Sequence, residues 1–263
     1  MVRRDNRRMS RSAPPTILAL DTAGARCSVA VAHGARVLVR RGAVGDTHLE
    51  HVLPLVDAVL GDAGLAVEDC AAFAFGAGPG SFTGVRVACT VAQGLSWARE
   101  KPAIPVGSLL ALAVAADAGM AGRPGPSRVF CAIDARMGQA YASVLEGSGL
   151  DWREVEPPFL CDLEDLPGRV AQACVDAVAG DAQWLAQWDC GSLPPLRDAC
   201  GDAEAIARWA QRAAASGLGV APELALPVYV RDQVAKTVAE RAAERHARQG
   251  ADHGAGRARE GAA

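Results

Sequence analysis

The sequence predicts an α/β protein made of two halves that share one order of elements. Three short apolar runs, a helical pattern, a further apolar run and a second helical pattern follow one another twice along the 263 residues. Half of the residues are apolar, which is enough for a substantial core. No repeat of individual residues accompanies this order, so the two halves are predicted to be similar in topology only.

The first half is predicted to contain four strands, a shorter candidate strand and three helices. The strands are at 16–20, 27–32, 36–40, 71–75 and, as the shorter candidate, 104–106; the helices are at 47–60, at 81–98 and from 108 onward. Thr47 and Glu50 have the spacing of a capping box, and apolar residues recur every three or four positions behind them. Pro54 lies inside this helix and lacks a backbone donor, which predicts a local kink.

The second half follows a Gly- and Pro-rich segment, 119–127, which we interpret as a linker between a lobe at 16–118 and a lobe at 128–237. Strands are predicted at 128–133, 141–145 and 152–155, a helix at 163–178, a strand near Trp184 and a helix at 202–216. Two lobes of the order βββαβα are typical of the duplicated actin-like fold, which actin, hexokinase and the Hsp70 ATPase domain share. That fold does not by itself give a function.

Composition excludes several classes of function. The net charge of −3 gives no basic footprint, so strong nucleic-acid binding by this chain alone is not expected. No apolar run reaches about 18 residues, so no membrane helix is expected. The eight cysteines form no C-x-x-C pair, which indicates scattered thiols in a reducing compartment rather than a zinc site. We expect 1–15 to be a disordered extension, with Met1 and Met9 both candidate starts, and 238–263 to be a charged, disordered tail.

The most specific motif is Gly-Ala-Gly-Pro-Gly-Ser-Phe-Thr-Gly-Val-Arg at 76–86, between a predicted strand and a predicted helix. Glycines at such a turn leave backbone N–H groups free for an anion, or they let another backbone approach closely. The motif matches neither the Walker loop nor the dinucleotide-binding fingerprint. Gly78 and Gly80 are the candidate phosphate contacts. Ser81 has the position of a helix N-cap, and no base that would activate a nucleophilic serine is close in sequence.

Asp21 and Asp134 end the first strand of each predicted half. In this fold an acidic residue here can face a metal or a nucleotide phosphate, but Asp also caps tight turns, and for Asp134 the turn alternative is a contact with Arg136. His48 and His51 are three residues apart and have no third ligand at helical spacing. This pattern favours solvated or interface histidines over a metal site.

Two predicted helices carry candidate partner surfaces. In the helix at 81–98, small residues recur every four positions, and such a stripe can receive another helix at close range or can pack on its own sheet. The helix at 47–60 is apolar around more than one face. The candidate interface residues are Leu49, Val52, Leu53, Val56, Gly84, Ala88, Ala92 and Ser96.

Five segments, in order, resemble the bacterial TsaB (YeaZ) family across roughly residues 16–236. They are Leu-Ala-Leu-Asp-Thr-Ala at 18–23, the motif at 76–86, Ala-Gln-Gly-Leu at 92–95, Ala-Ile-Asp-Ala-Arg-Met-Gly at 132–138 and Pro-Val-Tyr-Val-Arg at 227–231. The resemblance implies a non-catalytic cytoplasmic scaffold. Its partner TsaD would transfer a threonylcarbamoyl group to N6 of adenosine 37 in tRNAs that read ANN codons.

The resemblance also implies how the chain assembles. It implies a heterodimer with TsaD, the ATPase TsaE as a third member, a homodimer when the chain is alone, and contact with tRNA only through the complex. It implies no catalytic residue, metal or cofactor in this chain alone, and it leaves open ATP or ADP at the partner interface. The alternative is an actin-fold ATPase or small-molecule kinase that acts alone, with Asp21 and the loop at 76–84 on phosphate. That alternative calls for a second phosphate loop and an adenosine-site Gly-Gly pair, and we find neither in the second half.

Overall fold

The structure is a computed structural model, and it describes residues 13–45, 48–120, 125–180, 185, 195–196 and 201–231. Contacts divide the chain into Met1–Val230 and Arg231–Ala263. The fold described here is that of the first of these two units.

The first sheet has five strands in the order β3-β2-β1-β4-β5. They are β1 (Ile17–Asp21), β2 (Ser28–His33), β3 (Arg36–Arg41), β4 (Ala72–Gly78) and β5 (Ala103–Gly107). The first three form an antiparallel meander, and β4 and β5 run parallel to β1. Both β1 and β4 are buried along their whole length, which explains why their sequences are apolar except for Asp21 at the end of β1.

One face of this sheet is covered by α1 (His48–Ala63) and α2 (Phe82–Arg99). Pro54 lies within α1 as predicted, whereas Thr47 of the predicted capping box lies outside the described residues. Ser81 is the N-cap of α2, and its hydroxyl accepts the N–H of Gly84 at 3.2 Å. The capping role predicted for Ser81 is therefore confirmed.

The second sheet repeats the topology of the first. Its strands are β6 (Ser127–Arg136), β7 (Gln139–Ser148), β8 (Asp151–Asp162), β9 (Ala177–Gly180) and β10 (Pro195–Leu196). Their order is β8-β7-β6-β9-β10, with β6 to β8 antiparallel, β9 parallel to β6 and β10 parallel to β9. The same order and the same directions in both sheets confirm the predicted duplicated actin-like fold.

The helix predicted at 163–178 is wrong in its extent. The helix α4 covers only Leu166–Ala173, and Cys174 ends it in the left-handed region with φ 49°. The apolar residues that follow form the fully buried strand β9 beside β6. A short apolar run buried on both sides has the same pattern in a strand as in a helix, so spacing alone does not separate them. The strand predicted near Trp184 lies outside the described residues.

Two helices join the sheets into one core. The helix α3 (Ser108–Ala116) contacts strands of both sheets, and α5 (Ala203–Ala215) packs on the first sheet although it follows the second sheet in sequence. One apolar cluster accordingly includes Ile17 of β1, Val129 of β6 and Ile206 of α5. The division of the chain at 119–127 stays a prediction. In the part of the chain that the structure describes, no helix has the length and hydropathy needed to cross a membrane.

Candidate functional site

The loop at 76–84 packs against the turn that joins β1 to β2. A Cβ atom on Gly84 would lie 1.8 Å from the carbonyl oxygen of Thr22, and one on Gly80 would lie 2.7 Å from that of Ala23. The N–H of Ser81 donates to the same Ala23 oxygen at 2.8 Å. These glycines are required because two segments of one chain approach each other more closely than any side chain permits.

The other side of the loop is covered by residues near the end of the unit. Gly78 has φ 97°, and a Cβ atom there would lie 3.1 Å from the carbonyl oxygen of Val228. The N–H of Val228 donates to the oxygen of Ala77 at 2.7 Å. Both candidate phosphate contacts, Gly78 and Gly80, thus face the protein's own backbone. Of the two interpretations of the motif, this geometry supports the close approach of backbone.

The carboxylate of Asp21 faces the interior at the end of β1. The residue is 6% exposed, and its Oδ1 accepts the N–H of Ala23 at 3.0 Å. The space beside that oxygen is filled, because a Cβ atom on Gly76 would lie 2.3 Å from Oδ1 and 3.4 Å from the Cδ1 of Ile206 in α5. Asp21 therefore forms the tight turn that was one of its two predicted roles.

The surroundings of Asp21 favour its protonated form. Burial raises the pKa of this carboxyl from its ordinary 3.8 to about 7, and the negative charge of Asp202 acts in the same direction. The backbone N–H groups of Ala23 and Thr22 act in the opposite direction and lower the pKa. Near neutral pH the Asp21 carboxyl is consequently protonated in some molecules and ionised in the others.

Asp134 makes the same turn in the second sheet. Its Oδ1 accepts the N–H of Arg136 at 2.7 Å, which is the two-residue spacing seen between Asp21 and Ala23. Its Oδ2 lies 3.2 Å from the Arg136 guanidinium, and its side chain is 36% exposed. The two acids are topological counterparts, as predicted, but only Asp21 is sealed from solvent.

His48 is held by the same turn that holds the glycine-rich loop. Its Nδ1 lies 2.9 Å from the carbonyl oxygen of Thr22, which ties the first residue of α1 to the end of β1. His51 lies one turn further along α1 and is half-buried. Within the described ranges, no three side chains of the His, Cys, Asp and Glu types are grouped closely enough to hold one metal ion.

The stripe of small residues on α2 faces the chain's own sheet, which is the second of the two roles predicted for it. All four of its members are buried: Gly84, Ala88, Ala92 and Ser96. Their small size allows α2 to lie close to β1 and β4. On α1, Val52 and Val56 are likewise buried, whereas Leu49 is 66% and Leu53 is 52% exposed.

A segment that spacing did not predict lies beside α2. The strap, as we call residues 219–230, pairs with β5 through Val220 and Ala103. The amide of Gln93 in α2 donates to the carbonyl oxygens of Pro222 and Ala225, at 3.1 and 2.9 Å. The strap therefore extends the layer that α1 and α2 form.

The end of the strap forms an exposed aromatic cluster with the first turn of α2. The guanidinium carbon of Arg86 lies 3.6 Å from the ring centroid of Phe82, and its Nε donates to the hydroxyl of Tyr229 at 3.0 Å. The two rings are 6.0 Å apart. In the sequence, the two segments of this cluster could be recognised only as the motifs at 76–86 and 227–231. Periodicity could not relate them, because they are more than 140 residues apart.

Exposed apolar side chains concentrate on this one layer. Of the twelve large hydrophobic residues that are exposed in the described part, eight belong to α1, α2 or the strap. They are Leu49, Leu53, Phe82, Trp97, Leu224, Leu226, Val228 and Tyr229. We call this the α1–α2–strap surface. Concentrations of this kind mark interaction sites more often than single exposed residues do.

Known proteins match this chain over most of its length. A family model described as "TsaD: tRNA N6-adenosine threonylcarbamoyltransferase" matches residues 42–168. The tRNA threonylcarbamoyladenosine biosynthesis protein TsaB of Escherichia coli (strain K12) is 36% identical over 225 residues, which are 83% of this chain and 96% of that protein. The protein of the same name from Haemophilus influenzae is 38% identical over 158 residues, which are 57% of this chain and 65% of that protein.

A solved structure agrees with the sequence relatives. YeaZ from Pseudomonas aeruginosa is 34% identical and superposes with a TM-score of 0.71, covering 82% of this chain and 99% of that one. Sequence identity at this level over nearly the full length of a relative, together with the same fold, indicates common ancestry. The chain belongs to the TsaB (YeaZ) family.

Proposed function

We propose that this chain is a non-catalytic scaffold subunit in the biosynthesis of threonylcarbamoyladenosine in tRNA. It would act in the cytoplasm, and its partner would be TsaD, which would transfer the threonylcarbamoyl group to N6 of adenosine 37 in tRNAs that read ANN codons. The observation that carries the proposal is the α1–α2–strap surface, because eight of the twelve exposed large hydrophobic residues described lie there. The name of the Escherichia coli relative supplies the pathway.

The close packing around the candidate phosphate-binding loop supports a non-catalytic role. Gly80 and Gly84 are packed against the β1–β2 turn, and Gly78 is packed against Val228 of the strap. The carboxylate of Asp21 is sealed beneath α5 rather than directed to a cleft. An ATPase or kinase acting alone would have to move these segments apart before a phosphate could reach the loop, so we rank that alternative second.

The outer side of α2 suits the approach of a partner helix. Thr83, Thr90 and Gly94 are exposed there, and the space around the Cβ position of Gly94 is open. With half-buried Val87 they are spaced at four, three and four residues, which is the seam of packed helices. We propose that helices of TsaD dock on this seam and on Leu49 and Leu53 of α1. A second copy would occupy the same surface when the chain is alone, and TsaE would join the assembled pair.

Reconstitution tests the function. We expect the purified chain to hydrolyse no ATP and to modify no tRNA by itself, and to restore tRNA modification when it is added to TsaD, TsaE and the synthase that makes the donor. Leu53→Arg should abolish that restoration, because a charge would be buried without a partner at the interface. Leu218→Arg is the control, since Leu218 is 59% exposed outside this surface. Robust ATP turnover by the chain alone would refute the scaffold role.

A further inference from the structure

The first turn of α5 rests on the ends of β1 and β2. Asp21 and Ser28 are paired across these strands, and the hydroxyl of Ser28 accepts the N–H of Ala203, the first residue of α5, at 3.1 Å. A Cβ atom on Gly76 would lie 2.3 Å from the Asp21 carboxylate and 3.4 Å from the Ile206 side chain, so these two side chains lie close to each other. The helix therefore closes over Asp21 and removes it from solvent.

A second carboxylate is buried at the same contact. Asp202 is 7% exposed and is the N-cap of α5, where its Oδ1 accepts the N–H of Glu204 at 3.0 Å. Its Oδ2 accepts the Nε of Arg41 at 2.6 Å, and Arg41 also binds the carboxylate of Glu204 at 3.1 Å. Asp202 thus uses one carboxylate oxygen to cap α5 and the other to bind Arg41.

Asp21 has no comparable partner among the described residues. Its carboxylate receives only the backbone N–H groups of Thr22 and Ala23. The guanidinium of Arg41 is engaged by Asp202 and Glu204, and the ring of His48 contacts the carbonyl oxygen of Thr22. An ionised Asp21 would be a buried charge without a cation, close to a second negative charge, and such a charge is strongly unfavourable.

We propose that protonation of Asp21 controls the packing of α5 on the first sheet. The helix α5 stays packed, or seated, while the Asp21 carboxyl is protonated, and the helix loosens when that carboxyl ionises. We call this contact the latch. Loosening admits water to the carboxylate, which burial under α5 otherwise prevents. Because α5 leads directly into the strap, the latch also controls how firmly the strap is anchored. It operates in the free chain and does not depend on the proposed partner.

The direction of the pH dependence follows from the two states. With α5 seated the pKa is about 7, and with α5 loosened the carboxyl returns toward its ordinary 3.8. The seated state therefore binds the proton more tightly between these values. The equilibrium constant for loosening should rise about tenfold per pH unit from roughly pH 4 to pH 7 and should level off above pH 7.

Hydrogen exchange on the full chain tests the latch. Protection factors of the α5 amides, corrected for the intrinsic pH dependence of exchange, should fall about a hundredfold between pH 5 and pH 7 and then stay level. Asp21→Asn, which is uncharged at every pH, should make them independent of pH. Asp134→Asn is the matched control, because Asp134 makes the same turn in an exposed position, and it should behave like the wild type.

Two results would overturn the latch. One is pH-independent protection of α5 in the wild type, and the other is an unchanged pH dependence in Asp21→Asn. If Asp21→Asn does not fold, the wild type still decides the matter through the carboxyl carbon resonance of Asp21. A titration near pH 7 that coincides with the levelling of α5 protection supports the latch, and a titration near the ordinary value refutes it.

Discussion

The hydroxyl of Thr22 donates a hydrogen bond to the carbonyl oxygen of Gly84 at 2.6 Å, across 62 positions of sequence. The same hydroxyl accepts the N–H of Ala88 at 3.1 Å. One side chain at the end of β1 thereby fixes the first two turns of α2. This contact explains why the segments at 18–23 and 76–86 occur in the same sequence, because each one packs on the other. No phosphate ligand is needed to explain either segment.

The contact between Thr22 and Gly84 predicts opposite effects for two glycines of one helix. Gly84→Ala should lower the free energy of unfolding by about 3 kcal/mol or more, because its Cβ would lie 1.8 Å from the Thr22 oxygen. Gly94→Ala should be neutral or stabilising by about 0.5–1 kcal/mol, because its Cβ would enter open space within a helix. Urea denaturation measures both. Equal losses in the two variants would contradict the packing described.

Burial predicts that neighbouring faces of α2 respond differently to arginine. Ala88→Arg should prevent stable folding, because Ala88 is fully buried against the sheet. Thr90→Arg, on the exposed side, should leave the melting temperature within a few degrees of the wild type while it weakens binding to TsaD by at least tenfold. Thermal melts and titration with TsaD check the pair. If Thr90→Arg binds normally, the partner surface lies elsewhere.

The raised pKa of Asp21 predicts that the contribution of this carboxyl to the free energy of unfolding falls with rising pH. The folded state keeps its proton up to about pH 7, whereas the unfolded state loses it near 3.8. Stability from this group is therefore fully present below about pH 4 and is lost by about pH 7, with an upper limit of roughly 4 kcal/mol. Urea titrations of the wild type and Asp21→Asn isolate this contribution as their difference, and a difference that does not vary with pH would rule it out.

The N-cap of α5 predicts a graded response at Asp202. Asp202→Ala removes both the cap to Glu204 and the partner of Arg41, and it should cost about 2–4 kcal/mol of folding free energy. Asp202→Asn keeps a good cap and should cost less than half as much. Chemical denaturation of both variants gives the comparison. Equal costs would show that the cap itself contributes little.

Local patterns in the amino-acid sequence were sufficient for much of the architecture. The strands β1, β2 and β3 begin and end within one residue of their predicted positions, and Ser81 caps α2 as its spacing indicated. These features depend on alternation, turn residues and capping, which act over a few neighbouring positions. The repeated order of such elements was enough to predict the duplicated fold.

Tertiary packing alone settled which face of each element is buried. The sequence of α2 has small or apolar residues on two sides, so its spacing did not show that Gly84 and Ala88 face the sheet while Thr90 faces solvent. The return of α5 to the first sheet and the cluster of Arg86 with Tyr229 join positions more than 140 residues apart. Burial, and with it the pKa of Asp21, arises from such distant contacts, because the charge of a carboxylate is stabilised or opposed by whatever the fold packs around it.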